Sequence, residues 1–403
     1  MFKRLVIQTL IFIGVATPAF AQLQAKWSEG EHLELGLEGS VLACKSLGIP
    51  VDKCPSRNVL REDKKYTFQY GEVVTAADYY NNPVEFFTDK KSNIANVIKC
   101  AYKQKSAHED QRNSEIEYPD CNSTGIFGVP GYLEVLSQNY DHFGWNNMVA
   151  YVEYHTQALR LAKQAYDLRS TNLVSAKQLF NKAMVFNAFA DHYLTDAFAS
   201  GHIRVPRIQI KRWAKDNLEG PLPLQRGDLL TMFLHNIESR NLRTKKEEGL
   251  KVLNSRGDAW VTRGDGNLNL FATDSDLAII MPKTALAESF KDILIAWEYG
   301  DLPEGVFQAT QYVPFQNDMP LVEKLSPEYQ RVKRQKDVTN LINSGLSMFD
   351  KVLFNRGDFN SLLDDLSSIF IQFRRDVARE HAEKADLRKR LPEKYLQSYL
   401  NVE

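Results

Sequence analysis

The chain has 403 residues, and its 50 Lys and Arg against 51 Asp and Glu leave a formal charge of −1. So even a balance supplies no large field to draw the chain onto nucleic acid, which disfavours a nonspecific nucleic-acid binder. Hydrophobic residues make up 43% of the chain, enough to build a core, and the length accommodates one large domain or two modest ones.

The N-terminus reads as an export signal. Met1-Phe2-Lys3-Arg4 is a positive start, Leu5 to Val15 is apolar, and Ala19-Phe20-Ala21 has the small-x-small pattern of a cleavage site. A signal peptide over 1–21, cut before Gln22, predicts a secreted or periplasmic protein. Its removal takes Lys3 and Arg4 and moves the charge to −3, 48 basic against 51 acidic residues. No later apolar run is long enough to cross a bilayer. The four cysteines suit an oxidising compartment, and Cys44–Cys54 with Cys100–Cys121 is the simplest of three possible pairings.

The remaining elements predict a mainly α fold. A first helix is expected over Lys26 to Leu47. The stretch 85–138 is polar and poorly periodic, and reads as a long disulfide-pinned insertion with His108 solvated. Gly144 to Leu168 and Thr171 to Ser200 carry long helical patterns. Val205 to Leu224 holds three prolines and is mixed, Leu229 to Glu238 is helical, and Lys251 to Leu270 reads as a small loop or hairpin around Gly257-Asp258 and Gly264-Asp265-Gly266. In those Gly-flanked turns Asp258 and Asp265 are expected for backbone reasons. A helix over Ser275 to Tyr299 precedes a boundary placed near 300. That divides the chain into a main domain over 22–300 and a helical C-terminal region over 301–403, with helices at Asp337 to Leu353 and Phe359 to Arg390. In this region His381 and the basic run Arg374 to Arg390 read as a solvated helix face.

The densest chemistry lies in Asp191 to His202. His192 and Asp196 stand one turn apart on one helix face, and Gly201 ends the helix so that His202 turns back toward it. Neutral imidazole with carboxylate is the set zinc takes where a position must stay open for water. The chain has only eight histidines. Three more stand in marked contexts: His32, five residues after Trp27; His142 at the start of a long helix; and His235 near the end of another. Asp78 is followed by Tyr79 and Tyr80. His155, on the long helix, is expected to be packed.

These segments, taken in order, resemble the zinc-dependent phospholipase C and single-strand nuclease superfamily. The wording His-Tyr-Leu-Thr-Asp-x-Phe-x-x-Gly-His-x-Arg, from His192 to Arg204, is most similar to the exported bacterial zinc metallophospholipases C. The resemblance spans roughly residues 27–300 and implies an all-α fold with up to three zinc ions. Asp78, His142, His192 and Asp196 would hold one. Asp196 would reach a second, taken also by Trp27 and His32. His202 and His235 would hold the third with an acid from the His235 helix. The family's acid stands four residues after that histidine, where this chain has Ser239, so Glu238 one residue earlier is the expected ligand. Trp27 would ligate through a free amine only after a second cleavage behind Lys26. Also implied is hydrolysis of glycerophospholipid, phosphatidylcholine foremost, at a membrane surface by metal-activated water, with Asp78 as ligand and base. Tyr79 would face the trimethylammonium group. Two rivals are a single-strand nuclease or nucleotidase on the same ions and a nonenzymatic binding protein with a decayed cluster. The charge balance disfavours the first and the near-complete ligand set the second.

Overall fold

The computed structural model describes residues 28–60, 66–88, 94–111, 121, 129, 135, 138–239, 250–269, 272–316 and 356–400. The expected signal segment 1–21, Trp27 and the helix expected over Asp337 to Leu353 lie outside them, as do the side chains of 236–239, Glu238 included. Twelve α-helices, six short 3₁₀ helices and two two-stranded antiparallel sheets make up the regular structure of the described residues. The fold is mainly α, as the helical periodicities predict.

Its centre is a helical hairpin, α5 (Trp145–Leu168) and α6 (Leu173–Asp196). Asn172 caps α6 by accepting from Ser175 N at 3.0 Å. Most of α6 from Ala183 onward is buried on every side, because it is surrounded by α1 (Glu29–Ser46), α2 (Tyr70–Ala76), α3 (Pro83–Thr88), α5 and α9 (Leu277–Tyr299). A helix enclosed in this way can afford polar residues only where each finds a partner.

α1 opens with a capping box, Ser28 with Glu31. It crosses α2 at two glycines. A Cβ on Gly36 would stand 2.5 Å from Gly71 Cα, and one on Gly71 would stand 2.5 Å from Leu33 O. Any larger side chain would push the two backbones apart and carry His32 and the Val74 carbonyl away from α6.

α4 (Ile94–Gln111) corrects the reading of 85–138 as poorly periodic: its first half, among the described residues, contains an 18-residue helix packed on α1. Disulfides join Cys44 to Cys54 and Cys100 to Cys121, so α4 is tied at Cys100 and α1 near its end. The prolines of Val205 to Leu224 bracket a helix rather than prevent one. α7 (Arg207–Asn217) begins directly after Pro206, and α8 (Pro223–Ser239) begins at Pro223, where a missing N–H costs nothing. β3 (Leu250–Leu253) and β4 (Ala259–Thr262) form the hairpin expected there, preceded in the chain by a shorter pair, β1 (Val59–Leu60) with β2 (Thr67–Phe68).

Beyond residue 300 the chain packs on the same core. Phe307, Val313 and Phe315 are buried. α10 (Arg356–Glu383), α11 (Ala385–Arg390) and α12 (Glu393–Leu400) lie against α5, α7 and α8. Trp145 donates to Glu380 at 2.9 Å and stacks on Tyr395, Arg226 Nε donates to Asp358 at 2.8 Å, and Tyr399 donates to Ile203 O at 3.0 Å. Within the described residues no helix is long and apolar enough to cross a membrane, and the two disulfides are compatible with export.

Candidate metal centre

Seven of the residues singled out from sequence converge at one end of α6: His32 from α1, Asp78 from the turn after α2, His142 from the turn before α5, His192 and Asp196 from α6, His202 from the turn after it, and His235 from α8. With Asp265 they form three groups. These are His32, His192 and Asp196; Asp78, His142 and His192; and His202, His235 and Asp265. Within each group the ligand atoms lie within 4.8 Å of one another.

Contacts to the backbone decide how the rings face. His192 Nδ1 lies 3.1 Å from Val74 O, and His202 Nδ1 lies 2.8 Å from His142 O. A carbonyl only accepts, so each Nδ1 carries the proton and each Nε2 keeps its lone pair. His32 Nδ1 is 2.8 Å from Thr195 Oγ1, whose own proton goes to the carbonyls of Asp191 and His192 at 2.9 and 2.8 Å. This ring too donates through Nδ1. The three Nε2 atoms then point at carboxylates: His32 to Asp196 Oδ1 at 3.5 Å, His192 to Asp78 Oδ1 at 3.2 Å and Asp196 Oδ2 at 3.5 Å, and His202 to Asp265 Oδ1 at 3.9 Å. His235 Nε2 stands 3.0 Å from Asp265 Oδ2.

These separations fit a shared cation. Two donors bound at about 2.0–2.1 Å to a tetrahedral ion stand about 3.3 Å apart, and most of the pairs above fall close to that edge. Fixing one ring nitrogen on a carbonyl or hydroxyl so that the other is aimed is also how metal-ligating histidines are held. His142 Nδ1, 2.6 Å from Asp196 Oδ2, and His235 Nε2, 3.0 Å from Asp265 Oδ2, stand at hydrogen-bond distance. A proton shared there must leave when an ion takes its place. Burial pushes His202 down to about 3, so the ring is held neutral, the form that ligates. The buried His/Asp groups can therefore hold metal ions. Asp265, with 19% of its side chain exposed, is the most open of the ligands, and the other groups are almost fully buried.

Sequence reasoning missed Asp265 as a group member, because the Gly-Asp-Gly wording is also ordinary turn chemistry. The turn is real: Asn267 N donates to Gly264 O, and Gly266 has φ +72°. It follows β4, whose end is tied to the loop after α6 by Ser200 N donating to Arg263 O at 2.9 Å.

Two expectations are corrected. His108 is fully buried rather than solvated. Its Nδ1 lies 3.0 Å from Glu34 Oε2 and its Nε2 lies 3.9 Å from Glu31 Oε1. Burial raises the Glu34 carboxyl, but the bond and charge of His108, with Asn269 and Lys283, outweigh it and hold the group at about 2. Tyr79 is 1% exposed, and its hydroxyl donates to Glu29 Oε1 at 2.6 Å. The ring expected to face the trimethylammonium group is packed inside. His155 is buried and packed, as its place on α5 suggests.

Comparison with family models, with curated proteins and with solved structures gives no match. The centre is therefore defined by its own donor set and geometry.

Proposed function

We propose that the chain is an exported, zinc-dependent phospholipase C that hydrolyses glycerophospholipids to diacylglycerol and a phosphorylated head group. The observation that carries this reading is the trio of adjoining His/Asp groups, two of which share His192, with ring nitrogens aimed by backbone contacts. The donor set holds three carboxylates, Asp78, Asp196 and Asp265, and five imidazoles. Three carboxylates under-neutralise three divalent ions, and the surplus positive charge matches an anionic phosphodiester. Zinc suits donors of this kind.

Bound zinc supplies Lewis acidity and makes hydroxide accessible near neutral pH. The protein's part is alignment and proton transfer. His32, His192 and His202 hold fixed tautomers through Thr195, Val74 O and His142 O. Asp196, with one oxygen toward His32 and the other toward His142, spans the first two groups. The Asp78 carboxylate takes the proton of the attacking water. Substrate reaches the centre from the Asp265 side, where exposure is greatest. The His192 to Arg204 wording supports a phospholipase C, and the packed Tyr79 ring gives no support to a choline head group, so phosphatidylcholine stands as the test substrate of the class.

The test is phosphocholine release from phosphatidylcholine vesicles by the purified chain, with chelator and then with zinc restored. Release that chelator abolishes and zinc rescues supports the reading. A folded, zinc-loaded chain that releases nothing sinks it, and activity on single-stranded nucleic acid would then favour the nuclease alternative.

A further inference from the structure

Asp265 is the one member of the three groups carried by an irregular turn that no helix continues. Its neighbours are fastened to α1 by two acids one turn apart. Glu31, fully buried, accepts from Leu268 N at 2.8 Å through Oε1, and from Gly266 N at 2.9 Å through Oε2. The same Oε2 accepts from Ser28 N at 2.9 Å and Ser28 Oγ at 3.1 Å. Glu34 accepts from Asn269 Nδ2 at 3.1 and 3.0 Å, one contact to each oxygen. His108, from disulfide-tied α4, stands between the two acids.

Four donors converge on one carboxylate, three on Oε2 and one on Oε1, so the group is held from both α1 and the turn. Glu31 also precedes His32, a member of the first group, so one residue joins the helix of that group to the turn of the third. Nothing in the hydrolytic chemistry needs Glu31 itself. Its carboxylate accepts from the backbone amides one and three residues after Asp265 and aims a side chain it does not contact.

We infer that Glu31 is the positioning residue of the third metal group: it fixes the 264–269 turn so that Asp265 meets His202 and His235. The inference rests on the metal reading above. A ligand held on a loose turn pays the ordering entropy at the moment of binding, whereas a turn ordered beforehand does not. Glu31→Gln is isosteric, but it replaces one acceptor oxygen with an NH₂ group that faces backbone N–H donors. One side of the fastening is then lost while the helix cap survives in part.

The experiment is a zinc titration of the metal-free full-length chain against a competing chromophoric chelator, with parallel hydrogen exchange over 264–269. Expected in Glu31→Gln is one ion bound about 10- to 100-fold more weakly, with the others unchanged and faster exchange at Gly266 and Leu268. Asp265→Asn should weaken the same ion, and the double variant should be little worse than Asp265→Asn alone, because both changes act on one ligand. Should Glu31→Gln fail to fold, Glu31→Asp keeps the charge, shortens the reach and is expected to show the same selective loss. Wild-type-like titration, uniform weakening of every ion, or effects that add to those of Asp265→Asn would each overturn the inference. A wild-type chain that takes up no ion overturns the metal reading itself, and so stands apart from the other failures.

Discussion

His155 and His192 are both fully buried on the α5–α6 hairpin, each among acids and amides. Around His155 both ring nitrogens are occupied by side chains. Nδ1 meets Asn187 Oδ1 at 2.6 Å, and Nε2 meets Asp292 Oδ2 at 3.4 Å. Asn187 also donates to Tyr70 Oη at 2.7 Å, and Tyr70 donates to Asp191 Oδ2 at 2.7 Å. Burial raises Asp191 to about 7 against the bonds from Ser289 and Tyr70. Around His192, which directly follows Asp191 on α6, the first nitrogen goes to the backbone and the second turns to two carboxylates and another imidazole. Only the second arrangement gathers ligand atoms into metal-capable groups among the described residues. At His155 the second nitrogen meets one carboxylate, whereas at His192 it meets two carboxylates and another imidazole at once, a gathering of acceptors that a cation would satisfy.

The largest effect expected from this contrast is at His192, which belongs to two of the three groups. Losing one preorganised electrostatic group costs about 10²–10³-fold in rate, and His192→Ala should reach or exceed the upper end with helical circular dichroism retained. It should also lower the zinc content. A fully active His192→Ala chain would remove the basis for the metal centre.

The complementary change is His155→Ala. It leaves Asn187 Oδ1 and Asp292 Oδ2 without their ring partner in the core, a cost of about 1–3 kcal/mol. The urea midpoint should fall accordingly while zinc content per folded chain stays at the wild-type level. Loss of zinc in this variant would erase the distinction between the two clusters.

Acid should separate the clusters more gently. With its folded value near 3 against an ordinary 6.5, His202 binds its proton more readily in the unfolded chain. Stability of the metal-free protein should therefore fall as pH drops from about 6.5 toward 3, the window in which the unfolded state holds more protons. Bound zinc should leave in the same direction, since protons compete for the ring. Urea unfolding across this range, with His202→Gln for comparison, measures the share that belongs to this ring. An unchanged slope in His202→Gln would show that the window belongs to other groups.

The contrast also explains what was legible in the chain. Period alone placed α1, α5, α6 and α9 to within a few residues, because long amphipathic or enclosed helices leave strong patterns. The His192, Asp196 and His202 spacing was readable because helix geometry turns it into proximity. Asp265 and His108 were not. One is a turn residue brought in by a hairpin, and the other lies on a helix whose surroundings are polar in sequence but whose partners, Glu31 and Glu34, come from α1. Neither contact has a local signature, since both depend on which distant element covers the residue.

Tyr79 sharpens the same lesson with the smallest effect. Its position directly after Asp78 invited a substrate role, yet its hydroxyl is held by Glu29, which also accepts from Gln104 at 3.3 Å. Tyr79→Phe removes one bond to an acid, and such bonds contribute about 1.5–3 kcal/mol. The value should fall at the low end, because Gln104 remains and the ring itself still fills its site. Hydrolysis rates on choline and serine lipids should keep the wild-type ratio, since a packed ring contacts neither head group. A ratio that collapses toward one in Tyr79→Phe, with stability unchanged, would mean that the ring turns out of the core to meet substrate, and would move Tyr79 from the structural class to the binding one.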